Sequence, residues 1–186
     1  EDGTITGTIT GKDADGKYPV VIFLHGAGES GDNNLSHIIA NKGAVVWADR
    51  VDMNPCYVLA PQCPSMAEGW VQEDNEALVM QMLDEFIAEH AATIDTDRIY
   101  IQGLFMGGYG TWKIILDHPE IFAAAMPMCG GVDDSYYANN NEAFQKIKNM
   151  AIWTFHNADD STVPVENTRK VVEALKAVGS QCIKYE

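Results

Sequence analysis

The residue types best suited to chemistry lie in three loops, and the most unusual of these carries the sequence GLFMG at residues 103–107. This stretch follows a short apolar run and precedes a helical one. In enzymes that use a nucleophilic serine, a strand–turn–helix of the form G-x-S-x-G presents that serine to the substrate. Phe105 takes the place of the serine here, and a phenyl ring has neither a proton to give nor a lone pair suited to attack a carbonyl carbon.

Two other loops carry polar residues in glycine-rich or acidic surroundings. The sequence HGAGESGDNN begins at His25, directly after an apolar, β-branched run. The sequence HNADDSTVP begins at His156 and contains the adjacent residues Asp159 and Asp160. Imidazole and carboxylate side chains are the usual partners of a nucleophile, so all three loops are candidates for one site.

Alternating strands and helices must position these loops. Strands are predicted at residues 3–10, 20–24, 57–60, 99–102, 123–128, 152–155 and 182–185. Helices are predicted at 75–90, 107–117, 142–148 and 164–178, with helical character between 35 and 47 that breaks near Gly43. The alternation predicts an α/β fold, a three-layer sandwich in which helices cover both faces of a mostly parallel sheet. All three loops then lie at the carboxyl ends of strands, where such sheets bind ligands.

Length and composition limit the class of protein. The 186 residues suffice for one domain, predicted over 1–186. A net charge of −15 argues against a nucleic-acid-binding protein. No apolar run is long enough to predict a membrane span. The spacing of the glycines matches neither the dinucleotide-binding motif G-x-G-x-x-G nor the nucleotide-binding motif G-x-x-x-x-G-K-[ST]. The cysteines lack metal-binding spacing, and a disulfide between Cys56 and Cys63 stays open.

Together the three loops resemble the α/β-hydrolases. VVIFLHGAGESGDNN resembles the oxyanion-loop strand of that superfamily, GLFMGGYGTW its nucleophile elbow, and FHNADDSTVPV its acid loop. The sequence APQCP with the later Trp70 fits a narrower branch. That branch comprises the bacterial carboxylesterases related to feruloyl and acetylxylan esterases, often labelled predicted peptidases or phospholipase/carboxylesterase relatives. The similarity spans nearly the whole chain.

The resemblance implies a role for several residues. Phe105 stands at the nucleophile position, and Asp160 matches the acid of the catalytic triad, because its spacing to the following Val-Pro pair fits better than that of Asp159. The backbone N–H groups of Met106 and Ala27 match the oxyanion hole, which stabilises negative charge on the substrate oxygen. This chemistry needs no metal and no organic cofactor.

Three further residues receive supporting roles. His25 is implied to order its loop by hydrogen bonding rather than to act as a base, and it can also be read as a packing residue only. Trp70 and Gln62 lie in the loop that follows residue 60, and both are candidates for the substrate pocket. Trp70 can equally be a core residue.

The chain departs from the family pattern in two places. The nucleophile is replaced by Phe105, and no histidine follows Asp160, although the triad order of this fold is nucleophile, acid, histidine. The five histidines are His25, His37, His90, His118 and His156. The chain ends inside its last predicted strand, so we expect a C-terminally incomplete fold and a natural protein that continues past Glu186.

The sequence therefore predicts a carboxylic-ester hydrolase by family, of the serine type, that is inactive or severely impaired as written. The expected substrates are small-molecule or polysaccharide-linked esters, such as feruloyl or acetyl groups on plant polysaccharide, and the expected location is secreted or extracellular. The alternative is a degenerate hydrolase that still binds a ligand in the former substrate cleft but catalyses no reaction.

Overall fold

Six parallel strands form one sheet in the computed structural model, which describes residues 16–67 and 69–186. The strands are β1 (Tyr18–Leu24), β2 (Tyr57–Leu59), β3 (Ile94–Leu104), β4 (Ala124–Met128), β5 (Ala151–Thr154) and β6 (Ile183–Tyr185), in the spatial order β2-β1-β3-β4-β5-β6. Every pairing between neighbours is parallel. The predicted strand at residues 3–10 lies outside the described residues.

Five α-helices connect these strands. They are α1 (Ser36–Ile39), α2 (Glu73–Glu89), α3 (Met106–Asp117), α4 (Ala138–Ile147) and α5 (Glu166–Ala177). Short 3-10 turns occur at Ala27–Glu29, Ala48–Arg50 and Asp134–Tyr137. The alternation of strand and helix confirms the predicted α/β fold, and the described cysteines form no disulfide.

The segment between 35 and 47 is less helical than predicted. Only the four residues of α1 form an α-helix there. The Asn41 side chain accepts a hydrogen bond from the Gly43 N–H at 3.1 Å, which offers the backbone a local turn in place of the helical ladder. Gly43 itself lies against β1, since a Cβ on it would sit 2.2 Å from the Phe23 ring.

Two other elements differ in extent from the prediction. Strand β3 begins at Ile94 rather than near residue 99, because Ile94 pairs with Tyr18 ahead of a register shift in β1. In α4, Asn139, Asn140 and Asn141 have left-handed φ angles of 52°, 57° and 63°, so the right-handed helix begins only after them. Asparagine tolerates that conformation better than most residues.

Helices cover both faces of the sheet, but unequally. On one face, α2, α3, α4 and α5 pack against β1, β3, β4 and β5 in a single apolar core. On the other face, the segment around α1 covers β1 and β3, where the Gln102 amide donates to Gly43 O at 3.0 Å. Trp153 of β5 is 42% exposed on its face, and the Lys184 ammonium lies 4.0 Å from its ring centre.

The order of the strands determines where a site can form. Strand β1 has β2 on one side and β3 on the other, so the connections that leave β1 and β3 diverge at this point of the sheet. A crevice outside the carboxyl ends of the strands is expected at such a switch point. The loops after Leu24 and Leu104, which carry His25 and Phe105, meet there.

Candidate active site

The turn between β3 and α3 consists of one residue, Phe105. Its backbone angles, φ 55° and ψ −113°, are unusual for a residue with a side chain. Such a conformation costs on the order of 1–3 kcal/mol and persists only where the surroundings enforce it. The Phe105 N–H donates to Met128 O at 3.0 Å, and Phe105 O accepts from the Tyr109 N–H at 3.0 Å. The backbone at Phe105 is therefore a strained strand–turn–helix elbow that its hydrogen bonds enforce, with a phenyl ring on it.

Glycines allow this sharp turn because other backbone lies directly against them. A Cβ on Gly107 would lie 1.9 Å from Leu24 O, and one on Gly108 would lie 2.2 Å from Met128 O. Real Cβ atoms do not approach a carbonyl oxygen so closely. The first turn of α3 is thus pressed against the ends of β1 and β4, which fixes the direction of the elbow.

Two backbone N–H groups border the elbow without a protein partner. Among the residues that the structure describes, neither the Ala27 nor the Met106 N–H donates a hydrogen bond. Met106 is the first residue of α3, where the partial positive charge of a helix N-terminus favours an anion. Both residues line one cleft, described below. The role of this pair as an oxyanion hole stays a prediction of the sequence.

His25 holds the first loop in place. It is fully buried, and its Nε2 accepts the Cys63 N–H at 2.9 Å, so the ring hydrogen sits on Nδ1 and donates to Gly26 O at 2.7 Å. Burial lowers the pKa of His25 below its ordinary value, and the neighbouring His37 ring acts in the same direction. A neutral imidazole with both nitrogens engaged orders a loop and has no free lone pair for proton transfer.

Trp70 and Gln62, the predicted pocket candidates, make hydrogen bonds that support the loops, and neither is among the described residues that line the cleft. Trp70 is 2% exposed, and its Nε1 donates to His25 O at 2.9 Å. Its indole also packs edge-on against the His25 ring. The Gln62 side chain accepts the Asn34 N–H at 2.7 Å and donates to Glu29 O at 3.0 Å. Both amide ends of Gln62 are therefore occupied.

Glu29 is a supporting residue that the sequence reasoning missed. It is 6% exposed, and its carboxylate accepts the Gly26 N–H at 2.8 Å and the Asn41 side-chain amide. With that bond made, the next N–H along the chain, that of Ala27, is the one left to face the cleft. The only signal in the sequence was a carboxylate three residues after a glycine, the spacing of a capping box.

The acid loop is organised around Asp160. Its Oδ1 accepts the N–H groups of Val163 and Thr162, each at 2.9 Å, and its Oδ2 lies 3.7 Å from His156 Nε2. The Val163 bond, followed by the Thr162 bond, lowers the pKa of Asp160 below its ordinary value. The side chain is 22% exposed, so an ionised carboxylate sits at the edge of the site.

His156 supports the acid loop from inside the protein. Its Nε2 donates to Val163 O at 2.9 Å, and its Nδ1 lies 2.7 Å from the Thr168 hydroxyl. That hydroxyl is also 2.7 Å from Gly130 O. Because both ring nitrogens are engaged and the side chain is buried, His156 cannot reach a substrate as a general base.

Cys129 lies between the elbow and Asp160. Its φ angle of 42° is another left-handed value on a residue with a side chain. Burial raises the pKa of the Cys129 thiol, and the charge of Asp160 adds to that, whereas the Phe105 N–H acts in the opposite direction. The group is held as a neutral thiol, which is a poor nucleophile.

An apolar cleft of about 260 Å³ joins the elbow to the first loop. Its lining residues are Ala27, Met66, Ala67, Gly69, Val71, Gln72, Phe105, Met106 and Tyr109. The structure thus brings together three predicted residues, Ala27, Phe105 and Met106, while Asp160 lies outside the wall. Sequence reasoning missed Met66, Val71 and Tyr109, although two apolar residues flanking Trp70 in a loop were a usable signal.

Neither a metal cluster nor a membrane span was found in the described part of the chain. No group of three or more His, Cys, Asp or Glu residues is placed there to hold a metal ion. No described helix is both long enough and apolar enough to cross a membrane.

Comparisons with known proteins identify a matching family and similar folds. The sequence matches the prolyl oligopeptidase family (Peptidase_S9) over residues 78–154. A thermostable esterase is 42% identical with a TM-score of 0.83, and the match covers 94% of this chain and 47% of that one. An acetyl xylan esterase from Aspergillus awamori is 15% identical with a TM-score of 0.67, over 91% of this chain and 72% of that one, a likeness of fold alone.

Curated relatives are similar over shorter stretches. Poly(3-hydroxyalkanoate) depolymerase C of Paucimonas lemoignei is 30% identical over an alignment of 125 residues, and the match covers 61% of this chain and 28% of that protein. Poly(3-hydroxybutyrate) depolymerase of Ralstonia pickettii is 28% identical over an alignment of 123 residues, and the match covers 58% of this chain and 24% of that protein. The chain therefore spans about a quarter of the curated relatives that it matches.

Proposed function

The chain is an esterase-like α/β-hydrolase, and we propose that its apolar cleft binds a carboxylic ester with the carbonyl oxygen directed at the Ala27 and Met106 N–H groups. In this proposal the reaction of the family is serine-type ester hydrolysis, and the chain with Phe105 binds the ester without turning it over. The acyl groups we propose are small, such as feruloyl or acetyl groups on plant polysaccharide, and the setting is extracellular.

One observation carries this proposal: two unpartnered N–H groups border an apolar cleft beside a residue held at φ 55°. A carbonyl oxygen that gains negative charge needs such donors, while the rest of an acyl group favours an apolar wall. A ligand with a carbonyl oxygen and an apolar body therefore matches both halves of the cleft. The solved structure that is 42% identical is named an esterase, and the curated relative that is 30% identical is named a poly(3-hydroxyalkanoate) depolymerase.

The side chains around the elbow support the proposed absence of turnover. Acyl transfer requires an atom that attacks the carbonyl carbon and a base that takes its proton. Phe105 offers no such atom. His25 and His156 have both nitrogens engaged, and Asp160 then has no mobile imidazole to orient. In a well-studied protease, loss of the nucleophile or the histidine alone lowers kcat by about 10⁶.

Binding can be tested by amide NMR during titration with a small neutral ester such as methyl butyrate. We expect saturable shifts of the Ala27 and Met106 amide signals. The matched control region is the second cleft, of about 360 Å³, near Trp47 and Tyr100. Shifts confined to that region, or no saturable shift at either place, would refute the proposal.

Turnover can be tested with p-nitrophenyl acetate. The chain should hydrolyse it no faster than a Phe105→Ala variant, because neither provides a nucleophile. Hydrolysis well above that control, after purification of both proteins by the same route, would overturn the inactive assignment.

A permanently non-catalytic binding protein is the second candidate, favoured by the phenyl ring at the elbow. A Phe105→Ser variant, prepared in a chain that continues through a histidine after β6, separates the two functions. Recovered turnover supports an esterase that one substitution has silenced. A folded variant without turnover supports a cleft that only binds.

A further inference from the structure

The described wall of the cleft contains a polar group that the proposed reaction does not use. Among its described lining residues, only Gln72 and Tyr109 have polar side-chain ends, and none is charged. Gln72 is exposed at the start of α2, where water competes for its amide. Tyr109 is half-buried on α3, one turn beyond Phe105. Tyr109 is thus the better buried of the two polar side chains among the described lining residues.

The Tyr109 hydroxyl accepts one hydrogen bond in the described structure and has its own hydrogen left to donate. Asn167 Nδ2 donates to the Tyr109 oxygen at 2.7 Å, so the phenol acts as acceptor in that contact. A phenol has one hydrogen, and within the described residues no acceptor for it is found. A half-buried donor that lacks an acceptor in the protein gains most from an acceptor on a ligand.

Asn167 is itself held in place. Its backbone N–H donates to Pro164 O at 3.0 Å, and its Cβ would lie 2.9 Å from a Cβ built on Gly131. The hydrogen bond from Asn167 to Tyr109 joins α5 to α3, and the two residues are 58 positions apart in the sequence. The amide can therefore orient the phenol before any ligand arrives, which reduces the entropy lost on binding.

We propose that Tyr109, oriented by Asn167, donates its hydroxyl hydrogen to an oxygen on the acyl group of a neutral ester, and so selects oxygen-bearing acyl groups over plain ones. The proposal rests on the proposed function, because it takes the ester carbonyl to lie at Ala27 and Met106. Apart from Gln72, the other described lining residues are apolar, and none of them is charged, which favours a neutral ligand. A cleft of about 260 Å³ fits a small acyl group rather than a long lipid chain.

Two sources of such an oxygen share this chemistry, a hydroxyl on a short aliphatic acyl group and a phenol or methoxy group on an aromatic one. The test uses a matched pair for each: methyl 3-hydroxybutyrate against methyl butyrate, and methyl ferulate against methyl cinnamate. Dissociation constants are measured by NMR titration of the chain as it stands. We expect a preference of about three- to tenfold for the oxygenated member of one pair, the range for one neutral hydrogen bond. The pair that shows it identifies the source.

The variant Tyr109→Phe removes only the hydroxyl and should abolish the preference for the oxygenated ester. Tyr136→Phe is the matched control, because the Tyr136 hydroxyl bonds Asp117 at 2.9 Å, and neither residue lines the cleft. This control should keep the preference. Far-ultraviolet circular dichroism checks that both variants are folded.

The other outcomes of these titrations also test the assignment of Tyr109. Equal affinities within both pairs for the unaltered chain overturn the assignment of Tyr109 but leave the proposed function standing. A preference that survives in folded Tyr109→Phe also overturns it. If no ester binds, both this assignment and the proposed function fail. Should Tyr109→Phe not fold, the Asn167 side-chain amide signal must shift with the oxygenated ester and not with the plain one, and equal shifts would refute the assignment.

Discussion

Two buried histidines, His25 and His156, occupy equivalent places in two loops and differ in what their partners demand. His25 directly follows β1, His156 lies two residues after the end of β5, and each uses both ring nitrogens to hold its loop. His25 accepts a backbone N–H from Cys63, a contact that requires a lone pair and hence a neutral ring. His156 faces oxygens on both sides, the Val163 carbonyl and the Thr168 hydroxyl, and that hydroxyl donates its own hydrogen to Gly130 O.

The difference shows how a protein uses one residue type for two tasks at the same edge of a sheet. The first loop depends on a neutral imidazole, which keeps charge away from the Ala27 N–H. The acid loop instead carries an ionised carboxylate, Asp160, 3.7 Å from the buried ring of His156. In both histidines the two ring nitrogens are engaged in hydrogen bonds that hold a loop, so neither ring has a nitrogen free for a further partner.

The largest effect is expected from removing the neutral ring. The variant His25→Ala leaves the Cys63 N–H and Gly26 O without their partner and opens a cavity beside Trp70. We expect a loss of about 3 kcal/mol in the free energy of unfolding, measured by urea denaturation.

The control for that measurement is His118→Ala. The His118 side chain is 32% exposed and contacts only the Glu76 carboxylate among its charged neighbours. Its replacement should cost less than about 1 kcal/mol. Equal costs for the two variants would contradict the idea that His25 holds the first loop.

The contact of His156 with Thr168 offers the next test. The variant Thr168→Val removes a hydroxyl that lies 2.7 Å from both His156 Nδ1 and Gly130 O, and we expect a loss of about 2 kcal/mol. Thr154→Val is the matched control, because its hydroxyl is equally buried and bonds one partner, Pro127 O. That change should cost about 1 kcal/mol in the same unfolding assay. A smaller loss for Thr168→Val than for Thr154→Val would show that the acid loop does not rely on this hydroxyl.

The sequence predicted the parts of the molecule that depend on local pattern. The β-branched run before His25, the glycines after Phe105 and the apolar stripe of α2 have short-range causes, and the elements they predict are present. The close approach of backbone to Gly107 is the physical reason why the GLFMG pattern is informative. The prediction therefore succeeded where steric exclusion leaves few alternatives.

Contacts between distant residues were not predictable in the same way. The Tyr109–Asn167 pair is separated by 58 positions, and nothing in either neighbourhood specifies the other. Trp70 became a core residue because the His25 carbonyl lies within 2.9 Å of its indole nitrogen, which depends on how two loops meet. Glu29 has the same origin, since its carboxylate is satisfied by Gly26 and Asn41.

The pH dependence of the stability can be used to measure the contribution of the neutral His25 ring. Because the pKa of His25 is lowered in the folded protein, the unfolded chain binds its proton more readily, so stability falls as the pH drops below the unfolded-state value. Between about pH 7.5 and pH 5.5 this one group can remove at most about 1.4 kcal/mol, given an unfolded-state pKa of ~6.5. The non-titrating variant His25→Gln should show a shallower decline, measured by thermal unfolding at both pH values. Parallel declines for the two proteins would contradict the neutral-ring argument.

The smallest effect concerns the charge of Asp160, since this side chain lies at the surface. Asp160→Asn keeps an oxygen for the Thr162 and Val163 N–H groups but loses the charge, whereas Asp160→Ala loses both. We expect melting temperatures in the order unaltered chain, Asp160→Asn, Asp160→Ala at neutral pH. Because the pKa of Asp160 is lowered, its ionised form stabilises the fold above the unfolded-state value, and that stability is lost as the pH falls through the folded value.

The gap between the unaltered chain and Asp160→Asn should therefore close in acid, and Asp159→Asn, an exposed neighbour, should show almost no gap at any pH. If instead the gap persists in acid, the carboxylate supports its loop by shape alone. A neutral side chain at position 160 would then hold the acid loop as the neutral His25 ring holds the first loop. The contrast between the two loops would rest only on the neutral ring that His25 requires.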